Sequence, residues 1–234
     1  MGDRVIDVFL AFGKGDRNTI SGTSGGKKVT KAVSGPSWGW LQGKAAKRGF
    51  RINVFGPSFH PSASAFTDSL KNSEVTILIG HGSGNFVSKK WVSNAVDLAD
   101  GMLVVPSDAK LKPGLYLTKD GKTVSQSAPP KINKVTGIFT CNSHDVLPKA
   151  FEIPSGDVMI TNDGGADGLT RVGTLENTGF AFVEAYVNSN GNVGDSVKYA
   201  QRTMDQGSMD TTDKDLGHIT GDAGDKGDTL HIDK

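Results

Sequence analysis

The sequence predicts an α/β fold: a mostly parallel central sheet flanked by helices, with a small β-hairpin insertion. Two observations lead there. Apolar runs of strand length recur at 5–12, 50–55 and 75–79, with helical patterns between them. That alternation marks parallel strands joined by right-handed crossovers. After residue 100 short strand patterns surround an Asp120-Gly121 hairpin signal, and apolar runs return at 135–139 and 158–161.

In chain order, residues 5–12 (VIDVFLAF) form a central strand, closed by the glycine-rich Gly13-Lys-Gly-Asp16. Residues 13–37, rich in Gly, Ser, Thr and Lys, are expected to be a long mobile loop. The segment Gly22-Thr-Ser-Gly-Gly-Lys-Lys28 is not a phosphate loop. Ser21 stands where that pattern needs its first glycine, and Lys28 where it needs Ser or Thr. Residues 38–48 predict a short helix ended by Gly49, and 50–55 an alternating strand. Ser62 or Ser64 is placed to cap a helix through Ala65, Phe66 and Leu70. Residues 75–79 are a third strand, ending at Gly80 and His81. Strand patterns at 101–106, 115–118 and 123–125 make the hairpin insertion. Beyond the strands at 135–139 and 158–161, two helices are expected at 176–188 and 193–204. A second mobile stretch is expected at 205–227, and a closing strand at 228–232.

Composition narrows the function classes. The 234 residues are 36% hydrophobic, enough for one large domain or two small ones with a core, and the order of elements favours a single domain over 1–234. Lysine and arginine total 26 against 25 acidic residues. That balance lacks the basic excess of a nucleic-acid binder. No apolar run approaches the roughly 18 residues that span a bilayer, so no membrane partner is expected. The first residues lack a basic-then-apolar leader pattern, and the expectation is a cytoplasmic protein. A single cysteine excludes an internal disulfide framework and cysteine-rich zinc sites. Asp and His residues show no metal-ligand spacing. Neither a metal nor another cofactor is expected.

The chemistry converges on two strand ends. Val75-Thr-Ile-Leu-Ile-Gly-His-Gly82 carries His81 just past an apolar run, among glycines that let another backbone approach. Val135-Thr-Gly-Ile-Phe-Thr-Cys-Asn-Ser143 carries Cys141 in the same position. In parallel sheets, ligands and catalytic groups gather beyond the carboxyl ends of strands. An imidazole beside a thiol raises its thiolate fraction, and the thiolate is the nucleophile. The bland alternatives are an inert packed cysteine and a satisfied loop histidine. Of the other histidines, His144 is too near Cys141 to point back readily, His60 precedes proline, and His218 and His231 lie in the polar tail.

The order of these parts resembles caspase-like cysteine peptidases, most closely their bacterial CHAT branch. The residues that carry the resemblance are ILIGHGSG with His81 and Gly82, and GIFTCNS with Cys141. They lie 60 residues apart (141 − 81 = 60), room for a hairpin insertion. FAFVEAYVNSNGNVGDSVKYAQRTM is similar to the terminal helix pair of that branch, and Gly227-Asp-Thr-Leu-His-Ile232 to its closing strand. The resemblance covers roughly 5–232. It implies a cysteine endopeptidase acting on a protein or peptide substrate, with His81 as general base and acid and Cys141 as nucleophile. The backbone N–H groups of Gly82 and Cys141 would be the oxyanion donors. It further implies a role in bacterial defence or regulated proteolysis, with regulation supplied by the loops at 13–37 and 205–227 or by a separate protein partner. Metacaspases place an aspartate immediately before the nucleophile to bind a basic side chain, whereas this chain has Thr140. Asp163 and Asp16 are the remaining candidates to line a substrate pocket. Two rival readings stay open: a catalytically silent protein-binding module of the same fold, and a flavodoxin-like domain that binds a small molecule.

Overall fold

A computed structural model of the chain describes residues 4–12, 20–24, 27–31, 35–56, 61–104, 114–120, 122–127, 129–164, 172–209 and 228–234. The first half runs β1 (Arg4–Ala11), β2 (Ile20–Ser24), β3 (Lys27–Lys31), α1 (Trp38–Ala46), β4 (Phe50–Phe55), α2 (Ala63–Asn72) and β5 (Val75–Gly80). An antiparallel excursion follows: β6 (Gly82–Val87), β7 (Lys90–Leu98), β8 (Gly101–Val104), β9 (Leu115–Lys119) and β10 (Lys122–Ser127). The chain then returns through β11 (Val135–Phe139), β12 (Val158–Asn162), α3 (Val172–Asn188), α4 (Val193–Met209) and β13 (Leu230–Asp233).

The central sheet has the order β13-β12-β11-β5-β1-β4. Its pairs are parallel except β12 with β13. The fold is mixed α/β, with a mostly parallel sheet and four helices among the described residues. Alternation along β1 shows how the sequence builds two layers. Ile6, Val8 and Leu10 face one core with Leu41 of α1, Leu175 and Phe182 of α3, and Ala200 of α4. Phe9 and Ala11 face the other, with Phe66 and Leu70 of α2 and Val96, Leu98 and Leu103 of the antiparallel sheet. β5 and β11 are buried along their whole length, as strands covered on both faces must be. One glycine lets α3 lie close to the sheet: a Cβ on Gly179 would sit 2.6 Å from Ile79 Cδ1; within the sheet, one on Gly137 of β11 would sit 2.7 Å from Ile77 Cδ1 of β5. Ser62 caps α2, accepting from the backbone N–H of Ala65 at 3.2 Å.

Three expectations need correction. The stretch 13–37 was expected to be loop throughout, yet β2 and β3 pair within it as a hairpin, Ser24 opposite Lys27. Thr23, Val29 and Thr30 are strand formers, a signal hidden by the Ser/Lys-rich composition. Residues 13–19, 25–26 and 32–34 lie outside the described residues. The stretch 205–227 begins as helix, because α4 continues to Met209; residues 210–227 lie outside the described residues. The insertion is also larger than a hairpin: a five-stranded antiparallel sheet, in order β10-β9-β8-β7-β6, that starts at Gly82. Gly-Ser-Gly-Asn is poor in strand formers, so β6 carries almost no local signal.

At the amino-terminal end of the parallel strands, Arg4 donates to the Glu74 carboxylate from Nε, at 3.0 and 2.9 Å, and from Nη2. Tyr186 of α3 donates its hydroxyl to Glu74 Oε1 at 2.8 Å. Hydrogen bonding from Arg4 outweighs burial and holds the Glu74 carboxyl below the usual range. Burial, then the Glu74 contact, pushes the Tyr186 phenol up.

Candidate active site

The opposite, carboxyl-terminal edge holds the residues singled out for chemistry. β5 and β11 are neighbours, in register from Val75↔Val135 to Ile79↔Phe139, a constant offset of 60 (135 − 75 = 60; 139 − 79 = 60). His81 and Cys141 keep that offset (141 − 81 = 60), each two residues past the last paired position. Adjacent strands lie about 4.8 Å apart, so the two chains leave the sheet side by side. His81 is exposed and Cys141 half-buried.

The turn at Cys141 is built by its neighbours. Thr140, Asn142 and Ser143 are fully buried. Asn142 takes a left-handed conformation, φ 42°, which Asn tolerates better than most residues. Its Nδ2 donates to Trp91 O at 2.6 Å and to Asp145 Oδ2 at 2.7 Å. Ser143 Oγ donates to Ile138 O at 2.6 Å and accepts from Asn162 N at 3.0 Å. The turn is thus closed onto its own strand, pinned to β12, and tied across to β7 of the second sheet.

The histidine side depends on close approach. A Cβ on Gly80 would lie 2.6 Å from Ala11 O. One on Gly82 would overlap Ser93 Oγ and lie 3.2 Å from Thr140 Oγ1. Ser93, fully buried, accepts from Trp91 Nε1 at 3.1 Å. The Thr140 hydroxyl, buried beside Gly82, has no hydrogen-bond partner among the described residues.

Asp163 follows β12 at the same edge, but its carboxylate is occupied. Oδ1 accepts from Thr229 N at 2.9 Å, and Oδ2 lies 3.3 Å from His231 Nε2. These contacts fasten β13. Asp16 lies outside the described residues. His144 stacks on His231 with ring centroids 3.7 Å apart, and its Nδ1 lies 3.2 Å from Thr161 Oγ1. Among the described residues no cluster of three or more His, Cys, Asp or Glu side chains is arranged to hold a metal ion.

Comparison with known proteins finds no matching family model and no matching curated protein. What the site offers is an imidazole and a thiol at adjacent strand ends, on a turn braced from three directions. Sequence reasoning located both ends but missed the bracing by Trp91 and Ser93. The Asn142 bond ends on a backbone carbonyl 51 residues away, which no side-chain pattern advertises.

Proposed function

We propose that the protein is a caspase-like cysteine endopeptidase of the CHAT type, cutting a specific protein partner in the cytoplasm. The observation that carries this reading is the shared register that sets His81 and Cys141 on neighbouring strand ends. His81 takes the proton of the Cys141 thiol, and the thiolate adds to a peptide carbonyl. The backbone N–H groups of Gly82 and Cys141 stabilise the resulting oxyanion. Collapse of the intermediate expels the amine, protonated by His81, and leaves a thioester. Water, deprotonated by His81, then releases the acid and regenerates the thiol. Asp163 is committed to Thr229 and His231, so a role in substrate binding requires those bonds to open.

The test is labelling with peptidyl acyloxymethyl ketones carrying basic, acidic or apolar end residues, located by peptide mass. Cys141 is expected to be the labelled residue. Cys141→Ala is expected to abolish labelling, and His81→Ala to slow it by at least about 10³-fold. A folded protein whose Cys141 resists every reagent would sink the reading.

A further inference from the structure

The outer face of α1 carries features that the fold does not use. Trp40 is 54% exposed, yet its indole is held in place. It stacks on Phe180 of α3 with ring centroids 6.5 Å apart, and Lys44 Nζ lies 4.8 Å over it. The Lys44 ammonium also donates to Glu184 at 2.9 Å, and Arg48 Nη1 to Asn188 O at 3.1 Å. Positions 40, 44 and 48 of one helix thus meet 180, 184 and 188 of the other, one turn at a time. Beside this ladder runs an open groove of about 410 Å³, lined by Gly39, Trp40, Gly43, Lys44 and Lys47.

The charge around the groove is one-sided. Between residues 35 and 56 the chain has Lys44, Lys47, Arg48 and Arg51 and no Asp or Glu. Glu184 pairs with Lys44, which leaves Lys47 and Arg48 as the cations of the rim. The two glycines add a second peculiarity. Neither has a positive φ, and a Cβ on either would meet nothing within 4 Å. The chain's own backbone and packing therefore do not require glycine there, and two of them weaken a nine-residue helix. What they provide is a strip where another backbone can come close.

We infer that this face of α1 binds an acidic amphipathic helix of a partner protein. The partner helix crosses Gly39 and Gly43, packs an apolar side chain on Trp40, and sets carboxylates against Lys47 and Arg48. A fixed, half-exposed indole anchors such an interface at little cost in side-chain freedom. Charge disfavours a second copy of this chain, because a two-fold contact would set Lys47 and Arg48 against themselves. A lipid surface would find one indole, since among the described residues no other exposed large apolar side chain lines the groove. The inference does not depend on the chemistry of Cys141.

The experiment selects binders of the full-length protein from a displayed library of helical peptides with randomised surface positions. The enriched peptides are expected to be rich in Asp and Glu beside an apolar stripe. The best of them is labelled with fluorescein and read by anisotropy. Trp40→Ala, Lys47→Glu, or replacing the peptide's carboxylates by amides is each expected to weaken binding at least about tenfold. Gly43→Leu fills the strip with a better helix former. It is expected to weaken binding by a similar factor while raising the melting temperature of the free protein by about 2–4 °C. Opposite signs in those two readouts separate a docking role from a structural one. No enrichment, or enrichment of neutral or basic peptides, would overturn the inference. So would binding indifferent to Trp40→Ala and Gly43→Leu, or a lower melting temperature in Gly43→Leu. Phosphatidylserine vesicles and a single-stranded oligonucleotide are run alongside. Binding of either that needs Trp40, with no acidic peptide bound, would give the face to that ligand instead.

Discussion

At the scale of single residues, the site depends on what is absent at position 82. Any side chain there collides with Ser93, which is itself fully buried and held by the Trp91 indole. Gly82→Ala is expected to cost about 1–3 kcal/mol in urea unfolding, the usual penalty for overpacking a closed space. It should also slow labelling of Cys141, because relief requires the His81–Gly82 segment, which packs beside Thr140, to shift away from Ser93. Unchanged stability with unchanged labelling would show that the approach of β6 to the turn is looser than described. His81 and Cys141 were legible in the sequence because each ends an apolar run. The requirement at Gly82 was legible only as permissiveness: the glycines promised a close neighbour without naming it.

Among the elements, the strands of the parallel sheet were easy to see because burial on both faces leaves unbroken apolar runs, as in β5 and β11. β6 and the first turn of α3 were not. The former is half glycine and serine, and α3 begins at Val172, earlier than the expected Glu176, through Gly173 and Thr174, residues of modest helix propensity held by burial of Leu175. The far ends of these elements are joined by the Arg4–Glu74–Tyr186 group, which gives the fold a pH signature. Glu74 titrates lower when folded, so its contribution is complete above the ordinary glutamate value of about 4.3 and fades as pH falls through the folded value. Tyr186 titrates higher when folded, so its contribution fades as pH rises past the ordinary phenol value of about 10. Glu74→Ala leaves the guanidinium and the Tyr186 hydroxyl without their acceptor. It is expected to cost about 2–4 kcal/mol near neutral pH, and to flatten the acid limb of a stability–pH curve. An acid limb unchanged by the substitution would assign that dependence to other carboxylates.

For the whole molecule, the relation between the two sheets was the least legible feature. Their contact includes a shared cluster of buried side chains, Leu78, Val96 and Leu98 among them, and a polar tie from Asn142 to Trp91. Neither has a local sequence signal, since each joins residues distant in the chain. The tie makes a molecule-wide prediction. Asn142→Gly keeps the left-handed backbone comfortable and deletes the tie, while Asn142→Ala deletes it and adds backbone strain. Both are expected to speed amide exchange in β6 and β7 and to leave β1 and β4 unchanged, with the alanine variant the less stable by about 1 kcal/mol. Equal protection of β6 and β7 in all three proteins would show that apolar packing alone holds the sheets together.

The same tie has a meaning for the chain as it is made. Residues 82–127 emerge from the ribosome before Cys141, and Asn142 cannot find Trp91 until both stretches are out and the second sheet has formed. Contacts between such distant residues are among the slower ones to assemble. Until then position 141 carries an ordinary thiol in an unset loop. On the peptidase reading proposed above, the pairing of Cys141 with His81 would then arrive only with completion of the fold.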